Sequence, residues 1–248
     1  MQGPSKAFLD TTIILTREFG SKEKKKEIEF LKGKNNFGST YSITEINRTF
    51  LRDAIFIHSI LIDAPNLHVV FERLQKFPMT ERRIKRCLAL LDKITDNRQL
   101  HVKTAIARLE NLILGANKLL FQDISIIESG SLCPLSRENV EFDYPIFKLN
   151  TSCTKIAAGC SLPYYLNTHT SKLSNLQQAI SSDSKKKKLC VALAKVIANP
   201  RNAKGRCCQT LGDVIICLDA PNGCDVYSLN AQDFAVICKI LRKKFLKI

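Results

Sequence analysis

The sequence contains no apolar run that approaches the roughly 18 to 20 residues needed to cross a bilayer, and its densest apolar stretch covers only residues 214–218. The first residues also lack the apolar core and the small-residue cleavage site of a signal peptide. We therefore expect a soluble, cytoplasmic protein that does not associate with membranes. In that compartment the ten cysteines would be reduced thiols.

Several catalytic signatures are missing as well. The cysteines do not form two C-x₂-C pairs, and the four histidines form no H-E-x-x-H motif. The segment around Gly212-Asp213 lacks the further glycines and the lysine of a phosphate-binding loop. These absences argue against a zinc site, against Ser-His or Cys-His catalysis and against a nucleotide-hydrolysing motor.

The chain instead carries a large excess of positive charge. Its 248 residues include 38 Lys and Arg against 23 Asp and Glu, which gives a formal charge of +15, and 45% are hydrophobic, enough for a folded core. The excess is concentrated in five runs: Lys22–Lys26, Arg82–Arg86, Lys185–Lys188, Arg201–Arg206 and Arg242–Lys247. Such runs are typical either of solvated faces or of surfaces that bind nucleic acid, and we favour nucleic acid as the partner.

Apolar periodicity predicts an α/β organisation. A short strand at residues 6–9 ends at Asp10, and a second strand at 37–41 enters a helix through the capping-box pattern Ser42-Ile-Thr-Glu45. Residues 102–120 have the spacing of a core-facing helix. Near the C-terminus, a strand at 225–230 precedes a final helix that opens near Asp233.

Four acidic residues stand at the edges of these apolar elements: Asp10, Glu45, Asp213 and Asp233. In an open α/β sheet, groups just past the carboxyl ends of strands converge on one crevice. Converging carboxylates repel one another unless a cation neutralises them, and oxygen ligands suit Mg²⁺ or Mn²⁺. Such a site could activate a water molecule for attack on a phosphodiester, so we expect a metal-dependent nuclease.

Each acid also has another interpretation. Asp10 could only cap the following helix, and Glu45 could be satisfied within its capping box. Residues 214–218 could form a strand ending at Asp219, which would make Asp219 the third acid in place of Asp213. Asp233 could cap the last helix, with Asn230 as the fourth ligand instead.

The motifs together resemble the PIN-domain nucleases. The segment Phe8-Leu9-Asp10-Thr11-Thr12 resembles that family's opening strand and metal-binding acid, and Ser42-Ile-Thr-Glu45 resembles its second acid at a helix start. The closing segments, which run from Gly212-Asp213 to Asp219 and from Gly223 to Phe234, are the strongest match. The resemblance implies a three-layer α/β/α fold with a mostly parallel sheet, an Mg²⁺ or Mn²⁺ site, and ribonuclease activity, often in toxin or defence roles. The preference for RNA over DNA rests on this resemblance alone.

The sequence departs from the family at Thr12, where asparagine is common, and at Asn230, where an acid is common. The stretch between Glu45 and Asp213 is also far longer than a minimal member needs. We therefore expect a catalytic core of residues 1–65 and 200–248 and a mostly helical insertion or enlarged arm of residues 66–199. The departures also favour an alternative, a catalytically weak or inactive nucleic-acid-binding or assembly subunit.

Further side chains are candidates for supporting roles. Thr11, Ser228 and Asn230 could hydrogen-bond to the acids, and Arg48, Lys204 and Arg206 could contact the phosphates of nucleic acid. A protein inhibitor or a second copy of the chain remains open as a further partner.

Overall fold

The computed structural model describes residues 5–95, 101–128, 130–136, 140–143, 146–149, 153 and 159–248. The chain divides into two compact units, the first made of residues 1–45, 120–137 and 152–248 and the second of residues 46–119 and 138–151. The predicted catalytic core of residues 1–65 and 200–248, with an insertion of residues 66–199, stays a prediction. By contact, residues 152–199 group with the first unit.

The first unit contains a five-stranded sheet in the order β3-β2-β1-β6-β7, and every neighbouring pair is parallel. Its strands are β1 (Lys6–Leu9), β2 (Asn35–Ser39), β3 (Ser125–Ile127), β6 (Asp225–Ser228) and β7 (Lys244–Lys247). In the centre of the sheet, Phe8 of β1 pairs with Phe37 on one side and with Val226 on the other. The predicted parallel α/β sheet is confirmed.

Helices occupy the connections between these strands. They are α1 (Thr11–Phe19), α2 (Lys22–Glu27), α3 (Thr40–Ile46), α8 (Leu162–Thr168), α9 (Thr170–Ile180), α10 (Lys187–Ala198), α11 (Gly205–Thr210), α12 (Gly212–Asp219) and α13 (Ala231–Ile240). The chain places β2 and β3 on one side of β1, and β6 and β7 on the other. Because parallel crossovers are right-handed, these two directions put helices on opposite faces, which is consistent with a three-layer α/β/α arrangement.

The core of the first unit forms where the sheet meets α8–α13. Phe8 and Val226 from the sheet are fully buried together with Leu166, Leu193 and Phe234 from the helices. Each such side chain contributes about 1.5 to 3 kcal/mol when it is removed from water. This shared core groups α8–α10 with the sheet by contact.

The second unit is mostly helical. It contains α4 (Arg52–Ile62), α5 (Leu67–Lys76), α6 (Glu81–Ile94), nearly all of α7 (Val102–Leu120), and an antiparallel hairpin of β4 (Val140–Asp143) and β5 (Ile146–Leu149). Buried Asp53 of α4 joins α4 to α6, because it accepts hydrogen bonds from Arg83 Nε and Arg86 Nη2, each at 2.7 Å. Within the described ranges, no helix combines the length and the apolarity that a membrane span requires.

Four local expectations differ from the structure, and one of them is the strand predicted at 225–230, which ends at Ser228. The second strand lies at Asn35–Ser39 rather than at 37–41, and α3 begins at Thr40, so the predicted capping box is wrong and Glu45 lies inside the helix. The Ser39 hydroxyl accepts the Tyr41 N–H at 2.8 Å, the bond that a residue just before a helix provides. Residues 214–218 belong to α12, so the alternative in which they form a strand is also wrong.

Candidate active site

Asp10 lies directly after β1 and caps the N-terminus of α1. Its Oδ1 accepts a hydrogen bond from the Thr11 backbone N at 2.6 Å, and its Oδ2 accepts from Thr12 Oγ1 at 2.6 Å and from Ser228 Oγ at 2.7 Å. The residue is only 2% exposed. Burial raises the pKa of the Asp10 carboxyl, although these hydrogen bonds oppose the shift.

Capping of α1 does not use all the hydrogen-bond acceptor sites of the Asp10 carboxylate. Each carboxylate oxygen offers two lone pairs, and within the described residues Oδ1 accepts one hydrogen bond, from the Thr11 N–H. Within the described parts of the chain, no cationic side chain contacts Asp10. Among the residues that the structure describes, Asp10 is therefore a buried acid that has an unused acceptor site and no cationic neighbour, which is a costly arrangement for an ionised group.

Asp10 lies at the edge of the sheet where open α/β proteins commonly bind ligands. The strand order reverses between the neighbouring strands β1 and β6: from β1 the sheet continues to β2 on one side, and from β6 it continues to β7 on the other. Ligands of open α/β sheets bind beyond the carboxyl ends of the strands at such a point. Asp10 follows the end of β1 and Ser228 ends β6, and their side chains meet there.

Glu45 reaches the same place from α3. Its Oε2 accepts a hydrogen bond from Thr11 Oγ1 at 2.7 Å, and Thr11 is also the residue whose backbone N binds Asp10. The other oxygen, Oε1, packs against the first residue of α12. A Cβ built on Gly212 would stand 2.2 Å from Oε1, so the Glu45 carboxylate occupies space that only a glycine at position 212 leaves free.

Asn230 joins the remaining two acids. Its side-chain Nδ2 donates to Asp213 Oδ2 at 3.1 Å and to Asp233 Oδ2 at 2.8 Å, and its backbone N donates to Ser228 Oγ at 2.9 Å. The four predicted acids thus belong to one hydrogen-bonded set. We call this set the acid network: Glu45, Thr11, Asp10, Ser228, Asn230, Asp213 and Asp233.

Lys186 is a member of the site that sequence reasoning missed. Its ammonium forms an ion pair with Asp233 Oδ1, and its side chain is only 12% exposed. The short helical turn Ser184–Lys186 carries it, and that turn is capped by Asp183, which accepts the Lys185 N–H at 2.9 Å. The one available signal was the basic run at 185–188, which does not reveal which of its lysines turns inward.

The structure also places the other residues that the sequence singled out. Thr12, in place of the expected asparagine, holds Asp10 and accepts the Leu229 N–H at 3.2 Å, so it ties α1 to the loop after β6. The rival acid Asp219 is buried at the end of α12, where the hydroxyls of Ser39 and Ser131 donate to it. In the described residues, no hydrogen bond connects Asp219 to the acid network.

The predicted phosphate contacts have different surroundings. Arg48 lies in the second unit and is 5% exposed, so little of it faces solvent. Lys204 and Arg206 are exposed, just before and within α11.

The donor chemistry of the acid network suits Mg²⁺ or Mn²⁺, since all the charged groups are oxygen ligands. The neutral side chains of Thr11, Ser228 and Asn230 stand between the acids, and the described residues contain no group of three or more His, Cys, Asp or Glu that could hold one ion. The donor types suit a divalent cation, but among the described residues the acids do not gather in threes around one point; Asp10 and Glu45, both bonded to Thr11, are the pair with the shortest link.

Comparison of the chain with models of known protein families, with curated proteins and with solved structures gives no match. The resemblance to PIN-domain nucleases therefore depends on the sequence motifs alone.

Proposed function

We propose that this protein is a metal-dependent nuclease with a PIN-like catalytic unit, and that RNA is its preferred substrate. The observation that carries the proposal is Asp10, a buried carboxylate without a cationic neighbour in the described residues, placed where the strand order reverses. A divalent cation from solution would neutralise that charge. The strand order, with β1 between β2 and β6, and the connection of all four acids in the acid network support the same assignment.

Asp10 and Glu45 would hold the ion, with Asp213 as the next acid of the acid network. When bound, Mg²⁺ or Mn²⁺ would supply Lewis-acid stabilisation of a phosphodiester and an acidified water. The protein's own part is orientation. Thr11 bonds to both Asp10 and Glu45 and fixes the distance between them, and Asn230 does the same for Asp213 and Asp233.

Lys186 and the basic surface would make the protein more attractive to a negatively charged substrate. The Lys186 ammonium offsets the charge of Asp233, so the acid network would repel an approaching phosphate less strongly. The formal charge of +15 would attract a polyanion to the protein as a whole.

Analysis of the products of cleavage tests this proposal. Purified protein with Mn²⁺ should cut a labelled single-stranded RNA, and attack by water should leave no cyclic phosphate at the new ends. Products that end in a cyclic phosphate would contradict it, because they require attack by the RNA's own 2′-hydroxyl and no metal-activated water.

A second candidate function is a nucleic-acid-binding or assembly subunit that does not cut. One observation favours it: both oxygens of Asp233 already have partners, Asn230 and Lys186, and Asp213 shares the same Asn230 amide. Thermal unfolding with and without Mn²⁺ distinguishes the two functions. A functional metal site should be stabilised by about 2.7 kcal/mol when Mn²⁺ is at 100 times its Kd, and the non-cutting subunit should gain nothing.

A further inference from the structure

The first unit carries a basic groove between α10 and α11, separate from the acid network. We use this name for a surface depression of about 370 Å³ in which four cationic side chains, Lys187, Lys188, Lys195 and Arg206, surround Val191. The Cys207 thiol donates to the Ala192 carbonyl at 3.7 Å and joins the two helices beneath it. Only Arg206 of these residues is among the phosphate contacts expected from the sequence.

The charges of the basic groove are uncompensated. Lys187, Lys188, Lys195 and Arg206 are exposed, and none of them contacts a carboxylate within the described part of the chain. A different depression, at α1 and α2, has five cations, but its lining also includes three carboxylates, Glu18, Glu29 and Asp123. The basic groove is therefore the more complementary to an anion.

The spacing of these cations suits a chain of phosphates. Lys188 and Lys195 lie seven residues apart on one face of α10, which is about 10 Å along a helix that rises 1.5 Å per residue. At roughly 3.4 Å per nucleotide of a stacked strand, that distance corresponds to about three nucleotides. One bound ion would not need cations so far apart, whereas a polyanion would.

Val191 indicates which form of nucleic acid fits. This apolar side chain is 47% exposed and lies between the lysines. A duplex presents phosphates and sugars to such a surface and keeps its base faces stacked inside. A single strand can place the apolar face of a base or sugar on Val191 while its phosphates contact the lysines.

The basic groove is also continuous with the candidate active site along the backbone. Lys186, which pairs with Asp233 of the acid network, is followed directly by Lys187 and Lys188. A strand that follows α10 toward its N-terminus would therefore arrive at Asp233.

We propose that the basic groove along α10 and α11 binds the phosphate backbone of a single-stranded nucleic acid and leads it to the acid network. This inference rests on the nucleic-acid partner of the proposed function, but not on cleavage. It specifies a single strand, held by its backbone without readout of base sequence.

Binding in EDTA tests the basic groove without cleavage. The probes are a fluorescent 12-nucleotide oligo-U RNA, oligo-dT of equal length and a duplex of equal length, each titrated at several salt concentrations. The test variant is Lys188→Gln/Lys195→Gln/Arg206→Gln. The matched control, Lys22→Gln/Lys25→Gln/Lys26→Gln, removes the same charge from the exposed helix α2.

Single strands should bind wild-type protein more tightly than the duplex does. Each lost phosphate contact lowers the slope of log K against log salt by about 0.7 for a single strand. The test variant should therefore lose about 2 from that slope, and its deficit in affinity should be about 20-fold larger at 50 mM than at 200 mM salt. The control should keep the wild-type slope.

Equal slopes for the test variant and the control would overturn the proposal, as would tighter binding of the duplex. Failure of the nuclease assignment looks different, because it would leave binding in the basic groove intact while no substrate is cut in Mn²⁺. A wild-type protein that binds none of the probes would contradict both.

Discussion

Substitution of Gly212 by alanine would change the candidate active site without altering any acid. The added Cβ would stand 2.2 Å from Glu45 Oε1, whereas ordinary contact begins near 3.4 Å. The Glu45 carboxylate must therefore retreat by about 1 Å, which would stretch or break its 2.7 Å hydrogen bond with Thr11 Oγ1. A misplacement of about 1 Å in catalytic geometry can cost roughly 100-fold in rate.

The fold should tolerate this change, because the group that moves is the end of a flexible side chain and alanine favours a helix over glycine. We expect Gly212→Ala to unfold within about 1 kcal/mol of wild type in urea and to lose most Mn²⁺-dependent stabilisation and about 100-fold in cleavage rate. Gly115→Ala is the matched control, since its Cβ meets nothing within 4 Å. Wild-type cleavage and Mn²⁺ response in a folded Gly212→Ala protein would refute the position we assign to Glu45.

Three further changes have defined outcomes. Burial raises the pKa of Asp10, so the carboxyl binds a proton more tightly in the folded state than in the unfolded chain. The contribution of Asp10 to the free energy of unfolding therefore declines as the pH rises from the ordinary pKa of an aspartate through the raised pKa. Asp10→Asn should remove that decline and, in EDTA at neutral pH, melt no lower than wild type; a clearly lower melting temperature would mean that the ionised carboxylate is a structural requirement. Lys186→Met should uncover the charge of Asp233 and strengthen the thermal stabilisation by Mn²⁺, whereas an unchanged Mn²⁺ response, equal to that of a Lys185→Met control, would contradict the role given to the ion pair. Asp53→Ala should cost about 2 kcal/mol in urea unfolding, less than a fully buried pair because the two arginines that Asp53 binds are partly exposed; a loss below 0.5 kcal/mol, roughly the scale of a surface change, would show that the arginines find equal partners in water.

Elements with strong local signals could be predicted from the sequence. The strand at residues 6–9 and the helix at residues 102–120 have the predicted bounds, because an apolar run ended by an acid and a long helical stripe need no distant partner to be recognised. The second strand and the start of α3 were misplaced by two residues. Ser39, which precedes α3, also donates to Asp219, 180 positions away, and local patterns do not reveal such a contact.

The candidate site could be predicted from the sequence in part. Acids at the ends of strands were expected to converge, and Thr11, Ser228 and Asn230 do link them. Lys186 and Gly212 act through groups that lie far away in sequence, Asp233 and Glu45. Their roles depend on how α10 and α12 pack in the first unit, which spacing alone does not determine.

The assignment of α8–α10 illustrates the same limit at a larger scale. Their sequences have the pattern of ordinary amphipathic helices, and the apolar face of such a helix can pack against any apolar partner. In the structure, Leu166 and Leu193 share one core with Phe8 and Phe234. Only this shared core shows that they belong to the unit that contains the sheet.

The most direct test of the central claim is cleavage of a labelled single-stranded RNA and a matched DNA by purified protein in Mn²⁺, with EDTA and Asp10→Asn as controls. We expect cutting, faster for RNA, that disappears in both controls. Binding of both strands without any cutting would contradict the nuclease assignment and leave the non-cutting nucleic-acid-binding subunit. Cutting that persists in EDTA or in Asp10→Asn would show that the acid network is not the active site.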